Sequence, residues 1–227
     1  MRAIAWVKER GAEFAELDLT GAGLRATGVA IGGDPVPYRL EYELDCGDDF
    51  ITRRLSVRAW GAGWGRRLEL ARDLGGEWSV DADADGEAEL LGLPGVPGPP
   101  RPGGDPADFA EALDCDLGLS PLTNTMPVLR HGLLDGGGPV KFLMAWVSVP
   151  WLAVTPSVQL YTYLRRGTAG ELGVAPAAEG GGGGRADEGW AGGTLSLIRF
   201  QSGDFSEDVA FDGQGLVVDY PDIGRLA

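Results

Sequence analysis

Apolar and polar residues alternate along most of this chain, which is the period of a strand buried on one face. The segment Tyr38-Arg-Leu-Glu-Tyr-Glu-Leu-Asp-Cys46 shows it most clearly. Tyr38, Leu40, Tyr42, Leu44 and Cys46 fall on one side, and Arg39, Glu41, Glu43 and Asp45 on the other. The same spacing predicts strands over 14–19, 24–31, 51–60, 66–72, 77–81, 126–134, 140–149, 157–165, 194–201, 205–211 and 215–220. Turn signals separate most of them, among them Gly32-Gly33-Asp34-Pro35, Gly75-Gly76, Asp135-Gly136-Gly137-Gly138 and Asp212-Gly213. A single helix start is visible: Asp105-Pro106 supplies an N-cap and first helical residue, and Ala107 to Leu113 would make two turns. So little helix cannot cover a sheet of about ten to twelve strands, and the expected class is all-β, as a barrel, a half-barrel or a sandwich.

Val140 to Val149 changes the picture, because it is apolar on both sides. Val140, Phe142, Met144 and Trp146 line one face, and Leu143, Ala145, Val147 and Val149 the other. Such a strand has to be covered twice. Without helices, its second face meets another sheet or encloses a cavity. Two stretches, 93–106 and 167–193, are dense in glycine and proline and read as surface loops. Strand patterns resume unchanged beyond each, so residues 1–227 are read as a single domain.

Composition narrows the function classes. The 227 residues carry a net charge of −15, which opposes binding to nucleic acid or to an anionic membrane surface. The longest apolar stretch, Phe142 to Val154, is broken by Ser148 and Pro150 and is too short to span a bilayer, so no stable membrane insertion is expected. With no signal-peptide pattern at the start, a soluble cytoplasmic protein is the default expectation. Cys46 and Cys115 match no redox or zinc spacing and read as buried thiols. No cofactor motif is present, and nothing in the pattern fixes an oligomeric state.

Candidate chemistry is sparse. Asp81 to Glu89 imitates the start of a calcium loop, but Gly92 stands where the bidentate Glu belongs, so a solvated acidic hairpin turn is expected. His131, the single histidine, shares a face with Leu129 and Leu133; no serine sits in a nucleophile elbow, so it reads as structural. Asp114 and Asp116 point to one side if extended, about 6–7 Å apart, a spacing open to general acid–base work. Arg130 shares a predicted strand face with Met126 and Val128. There it must pair with Asp114, Asp116 or Asp219, or await an anionic or polyhydroxyl ligand.

These residues carry a resemblance. Leu113-Asp-Cys-Asp-Leu-Gly-Leu-Ser-Pro-Leu-Thr-Asn-Thr-Met-Pro-Val-Leu-Arg130 resembles the Asp-x-Asp…Thr-Pro-x-Thr-Asn-Thr-Leu-Pro-Ile-x-Arg signature of the bacterial "putative glycolipid-binding" proteins. The similarity extends to Tyr38–Tyr42, Gly76–Trp78, Ala145–Pro150, Gln159–Thr162 and Gly215–Pro221, nearly the whole chain. Ser120 stands in place of the usual threonine, and Asp49-Phe50 where a tryptophan is expected. The resemblance implies a large curved antiparallel half-barrel, similar to the carriers that move lipoproteins between bacterial membranes. It also implies a glycolipid-like amphiphilic ligand and no established catalysis. The matching positions are Asp114, Asp116, Thr123, Asn124, Arg130, Gln159, Tyr161, Asp219 and Tyr220. Physically, Arg130, Asn124 and Gln159 would offer polar contacts to hydroxyls or a phosphate, and Trp146 or Trp151 a surface for a sugar ring. The leading expectation is a non-catalytic amphiphile-binding half-barrel. A hydrolase or isomerase acting on a sugar-containing substrate through Asp114 and Asp116 is the alternative, and an acidic docking module for a basic protein is a third.

Overall fold

A computed structural model describes residues 1–86, 99–174 and 193–227 of the chain. Among them, fourteen strands form one curved, unclosed sheet. In chain order they are β1 (Arg2–Lys8), β2 (Gly11–Leu19), β3 (Leu24–Gly32), β4 (Tyr38–Cys46), β5 (Thr52–Gly61), β6 (Trp64–Arg72) and β7 (Trp78–Gly86). They continue as β8 (Asp114–Leu117), β9 (Val140–Val147), β10 (Val154–Gly167), β11 (Leu195–Ser202), β12 (Phe205–Phe211), β13 (Val217–Tyr220) and β14 (Gly224–Leu226). The sheet runs β7-β6-β5-β4-β3-β2-β1-β14-β13-β12-β11-β10-β9-β8, with every pair antiparallel except β8–β9. The all-β half-barrel expectation is borne out.

Alternation produced this sheet directly. In β3, Leu24, Ala26, Gly28 and Ala30 are buried while Arg25, Thr27, Val29 and Ile31 are exposed, and β4 repeats the pattern in register. The inward residues of β1 to β7 do not enclose a void. They pack into one buried cluster with Phe109, Ala112, Cys115, Leu117, Leu122 and Met126, so residues 109–126 fill the hollow of the sheet. A second cluster contains Phe142, Met144, Tyr161, Ile198, Phe200, Phe211 and Tyr220. Strand β9 contributes Ala145 and Val147 to the first and Phe142 and Met144 to the second, which is why it is apolar on both sides.

The two sheet edges are protected differently. On β7, Asp81, Asp83 and Asp85 place charge on the exposed edge, a deterrent to edge-to-edge pairing. They lie in a strand and not in the acidic turn expected from the sequence, because the alternate Val80, Ala82 and Ala84 keep the period of two. On β8, Thr52 closes the edge: its N–H donates to the Leu113 carbonyl at 3.1 Å, and its Oγ1 accepts from the Cys115 N–H at 3.1 Å. Between the edges, residues 99–113 bridge the sheet, with Gly103 paired to Ala153 and Trp78 Nε1 donating to the Ala112 carbonyl at 2.9 Å. The expected helix over 107–113 is one 3-10 turn, Pro106–Phe109, capped as expected by Asp105.

One predicted strand is overturned. Residues 126–134 contain helix α1 (Thr125–Arg130) and a 3-10 turn, Leu133–Asp135. Apolar residues at 126, 128, 129 and 133 fit a strand or a helix face, and the signals that decide are local. Pro127 lies in the first helical turn, where its missing N–H costs nothing, and Gly132 ends the helix with φ 60°. Arg130 therefore does not share a strand face with Met126 and Val128, and His131 is the exposed helix C-cap, edge-on to Phe142. A short second helix, α2 (Ala169–Leu172), is closed by a Thr168–Glu171 capping box. Residues 93–98 of the loop 93–106 and 175–192 of the loop 167–193 lie outside the described residues.

Candidate functional site

The stretch from β8 to α1 folds around its own polar side chains. After β8 the chain reverses at Gly118-Leu119, with Leu119 in the left-handed region at φ 63°. Leu119 is held there from β1 and β2. Lys8 Nζ donates to the Leu119 carbonyl at 2.6 Å and to Glu13 at 2.7 Å, and Ser120 Oγ donates to Glu13 at 2.6 Å. Tyr42 adds a third donor to this buried carboxylate at 2.9 Å. A 3-10 turn, Leu122–Asn124, then brings Thr123 back over β8, where its hydroxyl donates to Asp116 Oδ1 at 2.8 Å.

From the opposite side, Gln159 on β10 donates to Asp116 Oδ2 at 2.6 Å. Tyr161, two residues along, donates to Asn124 Oδ1 at 2.9 Å and to Gln159 Oε1 at 3.3 Å. Asp116, Thr123, Asn124, Gln159 and Tyr161 are thus one hydrogen-bonded network joining β8, the 3-10 turn and β10. Networks of this kind rigidify a site, because each member is costly to leave unpaired.

Beside this network lies a cavity of about 550 Å³. Asp116, Ser120, Asn124, Ser157, Gln159 and Ser202 give it polar walls, and Trp146, Phe200, Phe205 and Tyr220 aromatic ones. The aromatic side extends a row of edge-on rings across the sheet: Phe142, Tyr161 and Phe200 follow one another at 5.4 and 5.2 Å, and Tyr220 lies 5.9 Å from Phe200. The mouth carries Asp34 and Pro35 from the β3–β4 turn together with Leu119, Val149 and Ile223. Two apolar side chains there stay open to solvent, Leu119 at 41% and Phe205 at 40% exposure.

Electrostatically the site is one-sided. Burial pushes the Asp116 carboxyl above its ordinary range, against the lowering effect of its bonds from Gln159 and Thr123. The Tyr220 hydroxyl is also raised, by burial and by the nearby carboxylates Asp116 and Glu207. Tyr161 rises for the same main reason, burial. No lysine, arginine or histidine lines the cavity among the described residues. Nor does any group of three His, Cys, Asp or Glu side chains among them converge as a metal site.

Of the positions singled out from the sequence, Asp116, Asn124, Trp146, Gln159 and Tyr220 face the cavity, and Thr123 and Tyr161 stand directly behind it through Asp116 and Asn124. Asp114 and Arg130 are elsewhere. The guanidinium grips the buried Asp114 carboxylate with Nη1 and Nη2, which is the structural pairing expected, and neither residue lines the cavity. Asp219 is paired with Arg225 at 2.9 Å, also away from the cavity. Trp151 packs against Trp64, ring centres 5.4 Å apart, and is buried.

Sequence reasoning missed Ser157, Ser202, Phe200, Phe205 and Asp34 on the cavity and Glu13 behind Ser120. Glu13 had a signal: it is a charge at an inward position of the run Glu13–Ala15–Leu17. The β11–β12 residues had none, because a hairpin around Gly203 is indistinguishable from its neighbours until the sheet is curved.

Fold and site together define an open β half-barrel, filled by its own connecting segment, with a cavity of small-ligand size at one flank. Residues 4–178 match the family described as "Putative glycolipid-binding", and the chain belongs to that family. Among solved structures, the crystal structure of a DUF1089 family protein from Pseudomonas aeruginosa is similar, with a TM-score of 0.58 and 21% identity over 94% of this chain and 91% of that one. At that identity the likeness concerns the fold. No curated protein matches the chain.

Proposed function

We propose that the protein binds the polar head of a glycolipid-like amphiphile in this cavity, without turning it over. The observation that carries the reading is the pairing of polar walls with aromatic ones. Fixed side-chain donors and acceptors at Asp116, Asn124 and Gln159 suit hydroxyl groups, and Trp146, Phe200 and Tyr220 suit the apolar face of a sugar ring. A volume near 550 Å³ is in the range of small-molecule sites. The hollow of the half-barrel is filled by the chain's own residues. An alkyl tail is therefore assigned to the mouth, along Leu119, Val149, Phe205 and Ile223, and not to the barrel axis.

Binding alone, without chemistry, is favoured by the fate of the carboxylate pair. Asp114 is bound by Arg130 outside the cavity, so it does not flank a substrate opposite Asp116. Calorimetry with octyl β-glucoside below its micelle concentration tests the reading. Saturable binding is expected, weakened about tenfold or more by Trp146→Ala or Gln159→Ala. Absence of binding by alkyl glycosides, together with protein recovered free of any amphiphile by native mass spectrometry, would overturn it.

A further inference from the structure

The charges around the cavity restrict its occupant further. Two carboxylates line it, Asp116 at the back and Asp34 at the mouth, and Glu207 stands across from Phe200 in the β11–β12 register. Among the described residues Asp116 has no cationic partner: its two contacts there are neutral donors, one to each oxygen. A carboxylate offers about four lone-pair sites, so half of its accepting capacity is left, on a group that opens onto the cavity. The positive side chains around the cavity are already committed. Arg10 is paired with Asp34 at 3.5 Å, Lys8 is held by Glu13 and the Leu119 carbonyl, and Arg130 by Asp114.

The aromatic walls point the same way. A cation is attracted to the faces of Trp, Tyr and Phe rings, and more strongly in a site withdrawn from water. An anionic head, such as a phosphate, would meet the unpaired charge of Asp116 inside, while the one basic side chain at the mouth among the described residues, Arg10, is exposed, already paired with Asp34 at 3.5 Å and not part of the lining. A neutral hydroxyl would satisfy the lone pairs of Asp116 but leave its charge uncompensated.

We propose that the cavity selects an ammonium-bearing head, an amino sugar or comparable amino polyol, with the ammonium against Asp116 and the ring over Trp146 and Tyr220. This rests on the cavity being the ligand site, and it specifies the ligand's charge. The protein's net charge of −15 favours the approach of such a ligand and disfavours an anionic one.

The test compares three amphiphiles on the full chain by calorimetry: octyl β-glucoside, its 2-amino-2-deoxy analogue and the N-acetylated form of that amine. The free amine is expected to bind about tenfold or more tightly than the other two, and raising salt should narrow the gap. In Asp116→Asn the ratio of amine to glucoside affinity should collapse toward one, with the variant's melting curve confirming that it is folded. The comparison on the unaltered protein stands even if that variant does not fold. If the glucoside binds and the amine gains nothing, the charge assignment is wrong while the glycolipid reading survives. If none of the three binds, both fall.

Discussion

Arg130 and Asp114 meet side by side, two guanidinium nitrogens on the two oxygens of one carboxylate, with both side chains almost wholly enclosed. The pair ties the end of α1 to β8, next to the strand positions that carry Asp116. Burial pushes the Asp114 carboxyl upward even with Arg130 beside it. The bond therefore offsets a desolvation cost without fully cancelling it. The two residues hold the wall of the cavity in place and do not line it.

Removing one partner should be worse than removing both. Arg130→Met leaves an uncompensated buried carboxylate and is expected to cost roughly 3–5 kcal/mol. Adding Asp114→Asn should return most of that loss, since no buried charge is left. Urea denaturation of the two variants measures the difference; equal destabilisation would show that the pair does not act as a unit.

Asp116 predicts the opposite sign. Its folded carboxyl titrates above the ordinary value of 3.8, so the folded protein keeps a proton that the unfolded chain releases. This group's contribution is therefore greatest below pH 3.8 and declines as pH rises through the folded value. Asp116→Asn should stabilise the protein at pH 7 by on the order of 1 kcal/mol. The amide oxygen can face Gln159 and the amide nitrogen Thr123. Melting curves should show the gain shrinking as pH falls toward 4, the ordinary carboxylate range. The natural carboxylate, at a cost in stability, is what a binding site requires and a core does not.

What the sequence made legible follows from which constraints are local. Period-two burial needs only the strand itself, so β2 to β6 and β9 to β12 were readable within a few residues. The exchange of a predicted strand at 126–134 for α1 turned on Pro127 and Gly132, which punctuate a helix only if the chain is already turning at Leu119. β1, β8 and β14 are defined by partners distant in sequence, as in Trp6 opposite Leu226. The motif around 113–130 marked a stretch that lines the cavity in part, yet it could not separate Asp116, which opens on the cavity, from Asp114, which closes on Arg130. That distinction depends on where β10 lies, and no residue near Asp116 in sequence encodes it.

Tyr161 offers a test of the network behind the cavity. Its hydroxyl supplies the donor for Asn124 Oδ1 in a fully enclosed setting. Tyr161→Phe keeps the ring between Phe142 and Phe200 but leaves that acceptor unpaired, at an expected cost of about 1–3 kcal/mol. Asn124 and Gln159 should also lose their fixed orientation. Chemical denaturation reports the first effect, and weaker binding of the octyl glycosides the second. A variant with unchanged stability would mean that water replaces the hydroxyl without loss.

The most distant control on the site runs through a glycine. Gly28 on β3 sits directly beneath Tyr42 of β4, and a methyl group there would lie 2.2 Å from the tyrosine ring. The absent side chain is what lets Tyr42 lie flat and donate to Glu13, which in turn receives Ser120 at the cavity wall. Gly28→Ala is compatible with the extended backbone, so its effect should come from the ring alone. Overpacking of this kind typically costs about 1–3 kcal/mol. In a Tyr42→Ala background the same change should be nearly neutral, or slightly stabilising through the loss of unfolded-state freedom. A double-mutant cycle by urea denaturation gives the coupling directly. A coupling near zero would mean that Gly28 is required by the strand and not by the ring that anchors Glu13.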